Sequence, residues 1–451
     1  MKLKTMQKIE HTYINFSSFA LLETWSVHAL LENKVSYNEK FHLARISEFL
    51  TKSRKIISIE DEITYKRVTV RTNNGGVKKR NIEIGKNIGT KNQFIARTGQ
   101  FIISKIDARN GAFGIISDEL DGAIVTNDFP LFDVDKTKIL SKFLLLITTT
   151  KEFINFAQSC SSGTTNRQRM DIDLFLNQKI PLPSILEQER IVRAYNEKIE
   201  QAKLLEQQAG NLEKMIEVYL FEKLGINRDE EIKDKKGLQL FNFSQFDRWD
   251  IWVNKADSIS KKYKFLKFGE IIIGKPMYGA NVKGIKTDSD TRYIRITDIN
   301  ENGTLGEEFV SPEIVEEKYL LQENDFLIAR SGNTVGKTFL FKEKFGRAIY
   351  AGYLVKYNID FNKVLPEYIL EYTKSYPFKQ WIQSNQRIAG QPNINGQEYL
   401  QAPIIIPPLE IQKEIVSHLT LQKEQIKQLQ INAERCRLNA VKEFENEIFI
   451  K

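Results

Sequence analysis

The amino-acid sequence repeats itself after about half its length, and this repeat constrains the fold more than any other feature. The junctions "PSILEQERIV" (183–192) and "PPLEIQKEIV" (407–416) align so that Val192 and Val416 lie 224 positions apart. The other anchors, all at 224 or 225 positions, are Trp25 with Trp249, 99–105 with 324–330, 142–146 with 367–371, and 151–156 with 376–381. Chance is a poor account of this agreement. The 451 residues therefore predict two copies of one unit of about 225 residues.

Each unit ends in a segment with a helical apolar pattern. Ser184 and Glu187 have capping-box spacing, and Gly225 is a natural stop for the first helix. Apolar residues recur at steps of three and four, which places one continuous stripe on each helix. The predicted seam residues are Ile191, Ile199, Leu205, Leu212 and Ile216 in the first helix, and Leu419, Ile426, Leu429 and Phe444 in the second. One step of the second stripe is a glutamine, Gln422.

The two stripes are expected to pair with each other as an antiparallel coiled coil. A globular part lies between the helices, so the chain can turn back and pair them. The alternative is that each helix packs on its own domain. Roughly 38 residues at ~1.5 Å each give ~57 Å, which is longer than a domain of this size is wide. The predicted boundaries are 1–183 and 226–408 for the two globular domains, and 184–225 and 409–451 for the spacer helices.

The globular parts predict an α+β fold. "YKRVTVRT" (65–72) and "RYIRITDI" (292–299) alternate polar with apolar residues, as half-buried strands do. The expected architecture is two similar globular domains separated by two long helices, with an internal pseudo-two-fold repeat. Such a molecule suits two sites on a linear target. DNA is the obvious target, because its major groove returns to the same face every ~34–36 Å.

Composition narrows the classes of function. The net charge of +8 and the isoelectric point of about 9.0 suit a polyanionic partner without requiring one. Cys160 and Cys436 are the two cysteines, and their separation argues against a disulfide framework. The start of the sequence lacks an apolar signal-peptide stretch, and no apolar run is long enough to span a bilayer, so we expect a cytoplasmic protein. The four histidines do not cluster with each other or with the cysteines, which argues against a zinc site or a histidine-based triad.

One stretch, "IARSGNTVGKTFLF" (328–341), has the look of a nucleotide-binding loop. A P-loop requires four residues between its first glycine and the Gly-Lys pair, and only three lie between Gly332 and Gly336. The repeat counterpart has Ile115 near the position of the lysine. We therefore predict a glycine turn between two strands, "FLIAR" and "KTFLF", and not a P-loop enzyme.

The sequence resembles the specificity subunits of type I restriction-modification systems. The two junctions carry the resemblance, together with "FDRWDIWV" (246–253), "YGANVKGIKTDSDTRYIRITDINENG" (278–303) and "FLIARSGNTVGK" (326–337). It covers nearly the whole chain. The opening of the first unit, "LLETWSVHALL" (21–31), departs from it, because the usual basic–Trp–Asp sequence is missing.

The resemblance implies a function for each part. Each globular domain would be a target recognition domain that binds one half of a bipartite, asymmetric sequence in double-stranded DNA. The helices would set the spacing and dock two methyltransferase (modification) subunits, which motor/nuclease (restriction) subunits join. The chain itself would catalyse nothing and bind no cofactor or metal, with S-adenosylmethionine, ATP and magnesium expected in the partner subunits. In agreement, the sequence shows no Asn/Asp-Pro-Pro-aromatic loop of an amino-methyltransferase.

Two other interpretations stay open at this point. One is the specificity subunit of a related system with a fused methyltransferase-nuclease partner. The other is a coiled-coil scaffold protein without DNA binding, which predicts no salt-dependent affinity for DNA.

The candidate DNA-binding residues lie in loops and at strand ends. Arg and Lys are expected on phosphates, and Asn, Gln and Arg on base edges. In the first unit the candidates are Lys66, Arg67, Arg71, Lys105, Arg109, Asn110, Arg167 and Arg169. In the second unit they are Tyr278, Asn281, Lys283, Arg292, Arg295, Arg330, Asn333, Lys337, Gln391, Asn393 and Asn395.

Overall fold

The computed structural model describes residues 37–162, 169–226, 260, 262–286, 290–385 and 392–449. These residues form two compact units. The first combines the described residues up to Leu204 with those from Asn432 onward, and the second runs from Leu205 to Ile431. Trp25, Trp249, the stretches 21–31 and 246–253, and the candidates Arg167 and Gln391 lie outside the described residues.

The first unit is built on two larger sheets. Its described strands are β1 (Leu43–Arg45), β2 (Leu50–Lys52), β3 (Ile56–Ser58), β4 (Thr64–Val70), β5 (Val77–Ile84), β6 (Asn92–Ile95), β7 (Phe101–Ile103), β8 (Phe113–Ile115), β9 (Ile124–Val125), β10 (Leu131–Val134), β11 (Ser161–Ser162), β12 (Arg169–Met170) and β13 (Lys179–Pro181). One sheet has the order β2-β10-β7-β8 and the other β3-β6-β9-β4-β5, while β1 pairs with β13 and β11 with β12.

Helices pack against the four-stranded sheet of the first unit. They are α1 (Ser141–Thr148), α2 (Lys151–Ser159) and α3 (Ile172–Asn177), and they are followed by the long helix α4 (Ile185–Leu224). The Phe175 ring of α3 is stacked 6.5 Å from the Phe101 ring of β7, between ring centroids. Phe153 of α2 meets Phe113 of β8 edge-on at 5.8 Å. The core of this unit therefore lies between the sheet and the three short helices.

The second unit repeats this plan with smaller peripheral sheets. Its described strands are β14 (Phe265–Lys267), β15 (Ile272–Tyr278), β16 (Gly284–Ile285), β17 (Arg292–Ile294), β18 (Ser311–Pro312), β19 (Phe326–Ala329), β20 (Thr338–Leu340), β21 (Ala348–Tyr350), β22 (Leu354–Ile359) and β23 (Pro403–Ile405). Its helices are α5 (Pro366–Tyr372), α6 (Tyr376–Asn385), α7 (Gly396–Tyr399) and the long α8 (Leu409–Ile448). The main sheet has the order β15-β22-β19-β20, and the pairs are β14-β23, β16-β18 and the parallel β17-β21.

Short 3-10 turns connect several of these elements. They are Ile46–Glu48, Gly85–Asn87, Ala108–Asn110, Asp118–Leu120, Phe268–Ile271, Glu317–Tyr319, Gly332–Thr334 and Glu343–Phe345.

Strand register confirms the internal repeat. In the first unit Ile103 of β7 lies opposite Phe113 of β8. In the second unit Ile328 of β19 lies opposite Thr338 of β20, so both members of the pair are shifted by 225 positions. The units differ in the strands around this hairpin. The first unit builds a five-stranded sheet from β3 to β6, which precede the hairpin, and β9, which follows it, whereas the described residues of the second unit pair β16 with β18 and β17 with β21.

The predicted strand at 292–299 is wrong in its second half. β17 ends at Ile294, and the chain then turns. The turn is stabilised by Asp298, whose carboxylate accepts the backbone N–H of Arg295 at 2.8 Å. An aspartate side chain that bonds the backbone in this way competes with strand pairing, which alternation alone does not detect. The companion prediction at 65–72 is confirmed by β4.

The glutamine repeated in each junction has the same buried role in both units. Gln188 lies in the first turn of α4, where its Nε2 donates to the carbonyls of Pro183 and Lys138 at 2.8 and 2.9 Å. Its Oε1 accepts the N–H of Leu140 at 2.8 Å. Gln412 of α8 makes the equivalent three bonds, to Pro407, Lys363 and Leu365. Each glutamine thus ties the start of a long helix to the loop before α1 or α5.

The long helices run antiparallel in both units. In the first unit, Arg190 and Lys198 of α4 pair with Glu447 and Glu443 of α8 at 2.9 and 3.2 Å. In the second unit, Lys223 of α4 pairs with Glu414 of α8, and the rings of Tyr219 and His418 stack with centroids 3.8 Å apart. In both sets of pairs the residue numbers rise along α4 as they fall along α8, which confirms the predicted antiparallel direction.

The predicted seam is at least half-buried along both helices. The fully buried members are Ile191, Leu419, Ile426 and Phe444, and the half-buried members are Ile199, Leu205, Leu212, Ile216 and Leu429. The helix ends also join the domain cores. Ile191 and Phe444 belong to the core of the first unit, and Leu220 and Ile415 to that of the second. Pairing of the helices and packing on a domain therefore occur together.

Candidate nucleic-acid interface

The candidates of the first unit lie on strand ends and turns of the two sheets. Lys66 and Arg67 lie in β4, and Arg71 follows its last residue. Lys105 comes shortly after β7, and Arg109 and Asn110 form the turn before β8. The turn at 72–76 meets this second turn, since the N–H of Asn73 donates to the carbonyl of Asn110 at 2.7 Å. The structure thus brings Arg71, Arg109 and Asn110 into one neighbourhood.

Lys66 and Arg169 are candidate cations of the first unit that have acceptors within the fold. The ammonium of Lys66 donates to the carbonyls of Glu119 and Asp121. Arg169 forms a two-pronged pair with Asp128, at 2.9 and 3.3 Å. The hydrogen bond from Arg169 holds the pKa of the Asp128 carboxyl below its ordinary value. A ligand would have to compete with these partners.

The glycine loop of the second unit is a turn between strands, as predicted. Gly332 and Gly336 both have left-handed φ angles, +71° and +85°, which glycine adopts without steric cost. The ammonium of Lys337 lies 2.9 Å from the Glu301 carboxylate instead of over an open phosphate cradle. A P-loop leads into a helix, whereas this loop leads into β20. Gly111 of the first unit also has a left-handed φ, +74°, 225 positions earlier.

Three further candidates of the second unit are held by the fold. Arg292 donates to the carbonyls of Gly306 and Glu308 at 2.6 and 2.9 Å. Arg295 pairs with Asp298 at 2.7 Å, and this hydrogen bond raises the pKa of the guanidinium. Asn395 caps α7, because its Oδ1 accepts the N–H groups of residues 397 and 398.

The remaining candidates are solvent-accessible. Lys283, Asn281 and Asn333 are exposed, and Asn393 is half-buried beside the glycine loop, where it forms a β-bridge with Ser331.

Arg330 lies between two exposed tyrosine rings. Its guanidinium carbon is 4.9 Å from the centroid of Tyr278 and 5.9 Å from that of Tyr353. The Tyr278 hydroxyl accepts the N–H of Gly396 at 3.0 Å, which fixes one wall. The Nε of Arg330 is buried and has no hydrogen-bond partner among the described residues. Arg330 and Tyr278 are among the residues predicted from the sequence, whereas Tyr353, a residue that is 54% exposed, was missed.

A shared backbone frame holds this cluster. The N–H of Arg330 donates to the carbonyl of Tyr353, and the N–H of Ile394 donates to the carbonyl of Arg330, both at 3.0 Å. Three chain segments, following β19, preceding β22 and preceding α7, are therefore joined at one residue. We call these two hydrogen bonds and their three segments the shared backbone frame.

The same frame occurs in the first unit. The N–H of Lys105 donates to the carbonyl of Asp128, and the N–H of Met170 donates to the carbonyl of Lys105, both at 2.9 Å. These residues are 225, 225 and 224 positions before their counterparts in the second unit. The side chains on the frame differ: Lys105, Asp128 and Arg169 in the first unit correspond to Arg330, Tyr353 and Asn393 in the second. Comparing the two copies for equivalent positions of unlike chemistry would have found Tyr353.

Comparison with known proteins follows the same division. Residues 37–214 and 260–434 each match the family described as the type I restriction modification DNA specificity domain. The chain belongs to this family. It is therefore a DNA specificity subunit with two specificity domains, and the scaffold interpretation is not favoured.

A solved structure of a type I system has a similar fold. The specificity subunit is similar to a chain from a study of complex assembly and conformational transition of the type I R-M system, with a TM-score of 0.59, 15% identity, and 91% of this chain and 97% of that chain covered. The HsdS subunit from Thermoanaerobacter tengcongensis has a TM-score of 0.46 at 15% identity, covering 92% and 99%. The type I system S subunit from M. genitalium has 0.45 at 14% identity, covering 93% and 98%. No curated protein sequence matches the chain.

The described residues contain no group of three or more His, Cys, Asp or Glu side chains that could hold a metal ion. None of the helices in these ranges is both long and apolar enough to cross a membrane.

Proposed function

We propose that the specificity subunit recognises a split, asymmetric DNA sequence, with one half bound by each specificity domain. The observation that carries the proposal is the shared backbone frame, which displays different side chains in the two units. A common frame predicts a common mode of docking, while unlike side chains predict unlike half-sites. The different sheets that precede the frame support the same conclusion.

The proposal assigns no catalysis to this chain. Methyltransferase subunits would supply S-adenosylmethionine and flip the target base, and motor/nuclease subunits would supply ATP and magnesium chemistry. The similarity to a protein of a type I assembly supports such partners. We expect such partners to cover apolar side chains that the long helices leave exposed. These side chains include Leu204, Met215 and Val218 on α4, and Leu421, Leu438 and Val441 on α8.

The test is to purify the chain with its methyltransferase partner and to map methylated positions by sequencing. We expect one motif made of two unlike specific parts separated by a fixed, unspecified gap. A contiguous motif, or a palindromic one, would contradict the assignment of one half-site to each domain. A related system with a fused methyltransferase-nuclease partner gives the same motif and is told apart by the partner chain that co-purifies.

A further inference from the structure

Among the cations of the second unit, Arg330 differs in its partners. Arg292, Arg295 and Lys337 each donate to oxygen atoms within the fold. The Nε atoms of Arg292 and Arg330 are both buried without an acceptor among the described residues. Arg292 still donates through its Nη2 to two carbonyls, whereas the guanidinium of Arg330 lies over the rings of Tyr278 and Tyr353. An unmade hydrogen bond at a buried charged donor is costly unless a ligand completes it.

The position of Arg330 is also defined before any ligand binds. The shared backbone frame bonds its N–H and its carbonyl to two other segments. The rings of Tyr278 and Tyr353 flank the guanidinium, and Tyr278 is itself held by Gly396. Ordering a free arginine side chain on binding costs rotamer entropy. A guanidinium held in this way loses less conformational entropy when it binds.

The surroundings of Arg330 favour a base edge over a phosphate. Phosphate contacts use several cations together, but the neighbouring Lys337 is neutralised by Glu301. The frame otherwise displays neutral polar groups, namely Asn393 and the tyrosine rings. A planar guanidinium matches the O6 and N7 acceptors of guanine in the major groove with two parallel hydrogen bonds.

We propose that Arg330, clamped between Tyr278 and Tyr353, reads a guanine in the half-site bound by the second domain. This inference rests on the proposed function and adds the base and the residue that selects it. Lys105 occupies the equivalent position in the first unit beside the Asp128–Arg169 pair, so the first domain lacks the guanidinium fork at this position.

The test uses the full chain in complex with its methyltransferase partner. The variants are Arg330→Lys, which keeps the charge but loses the fork, Arg330→Ala, and the control Lys264→Ala, which removes an exposed cation of the same unit that is not a DNA-binding candidate. Methylated sites are mapped, and binding is measured against duplexes that change each specified base in turn. We expect discrimination at one guanine of the second half-site to fall about 10- to 100-fold in both Arg330 variants. Lys264→Ala should leave the motif unchanged.

Other outcomes overturn the inference in distinguishable ways. If both Arg330 variants keep every base preference while affinity falls uniformly and the salt dependence becomes shallower, Arg330 contacts phosphate instead. If the wild-type complex shows no split motif, the proposed function fails as well. Tyr353→Ala provides a second route: it should weaken binding to the same guanine-containing half-site while the Arg330 side chain stays present. Unchanged binding by both Tyr353→Ala and Arg330→Lys would exclude the clamp.

Discussion

At the scale of single residues, the two units often use different side chains at equivalent positions to bond the same backbone group. Gln100 Oε1 accepts the N–H of residue 97, and 225 positions later the Asp325 carboxylate accepts the N–H of residue 322, both at 2.8 Å. The aspartate is buried, and Lys356 pairs with it at 3.0 Å. A buried carboxylate requires such a partner, whereas a neutral glutamine does not. Backbone requirements are therefore repeated more faithfully than residue types.

The junction glutamine should be essential for stability. Gln412→Ala removes three hydrogen bonds and leaves buried carbonyl and N–H groups without partners, so we expect a loss of about 2–4 kcal/mol. The unfolding midpoint in urea measures this. Gln425→Ala, at an exposed position of the same helix, is the control and should stay within about 0.5 kcal/mol of wild type. Equal midpoints for both variants would show that the buried bonds contribute little.

Lys374 predicts a pH dependence in the second unit. Burial lowers its pKa to about 8, although Glu371 opposes this, and Lys423 adds to the lowering. Below pH 8 both folded and unfolded chains are protonated, so the burial cost applies in full. From pH 8 towards 10.5 the folded state releases its proton first, and the wild type gains stability.

Lys374→Met should therefore be more stable than wild type at pH 7, by about 1–3 kcal/mol, because Lys423 still neutralises Glu371. The difference should shrink as the pH rises from 8 to 10. Urea unfolding at several pH values tests this, with the exposed Lys379→Met as the matched control. A variant that is less stable than wild type at pH 7 would exclude a net burial cost.

At the scale of elements, helices with periodic patterns were the most predictable parts. Both long helices, their seam and the stop at Leu224 follow from apolar spacing and from Gly225. The strand at 292–299 was only partly predictable, since Asp298 ends it through a side-chain bond that requires three-dimensional placement. Which cations remain available was not predictable either. Lys66, Arg292 and Lys337 look alike in sequence, and only folding reveals their internal acceptors.

The seam of the second unit contains one polar interruption. Gln422 is buried, and its Oε1 has no hydrogen-bond partner among the described residues. A polar residue at a seam position specifies register at a cost in stability. Gln422→Leu should therefore stabilise the protein by about 1 kcal/mol in thermal or urea unfolding. Gln425→Leu, on the exposed face, should change little, and a destabilised Gln422→Leu would mean that the amide has a partner that the leucine cannot replace.

At the scale of the whole molecule, the sequence predicts two domains and two helices but not the shared backbone frame. The repeat offset and the junctions were sufficient to predict the two domains and the two helices. The frame joins three segments far apart in sequence, so Tyr353 and Arg330 meet only once the fold is complete. Sequence spacing alone does not predict such contacts. The DNA sequence that is recognised depends on these contacts and on the shape of the DNA.

The length of the long helices should set the number of base pairs between the two half-sites of the DNA target. Inserting one seven-residue block into α4 and one into α8 preserves the apolar seam and adds about 10 Å to the helix pair. Methylation mapping should show the same two half-sites separated by about three more base pairs, since DNA rises ~3.4 Å per step. An insertion in α4 alone should misalign the seam and lower stability. Unchanged spacing with both insertions would contradict a spacer role.

The ends of the described fold meet. Tyr37 bridges Phe449 with their rings stacked 5.5 Å apart, and in the second unit Ile226 bridges Ser260 in the corresponding place. Each unit is thus closed by an equivalent β-bridge. In the first unit the bridge joins the outermost described residues, and in the second unit it joins two residues in the middle of the chain. We expect a circularly permuted chain, joined at the first closure and opened at the second, to keep the contacts within each unit, so that either domain could be translated first.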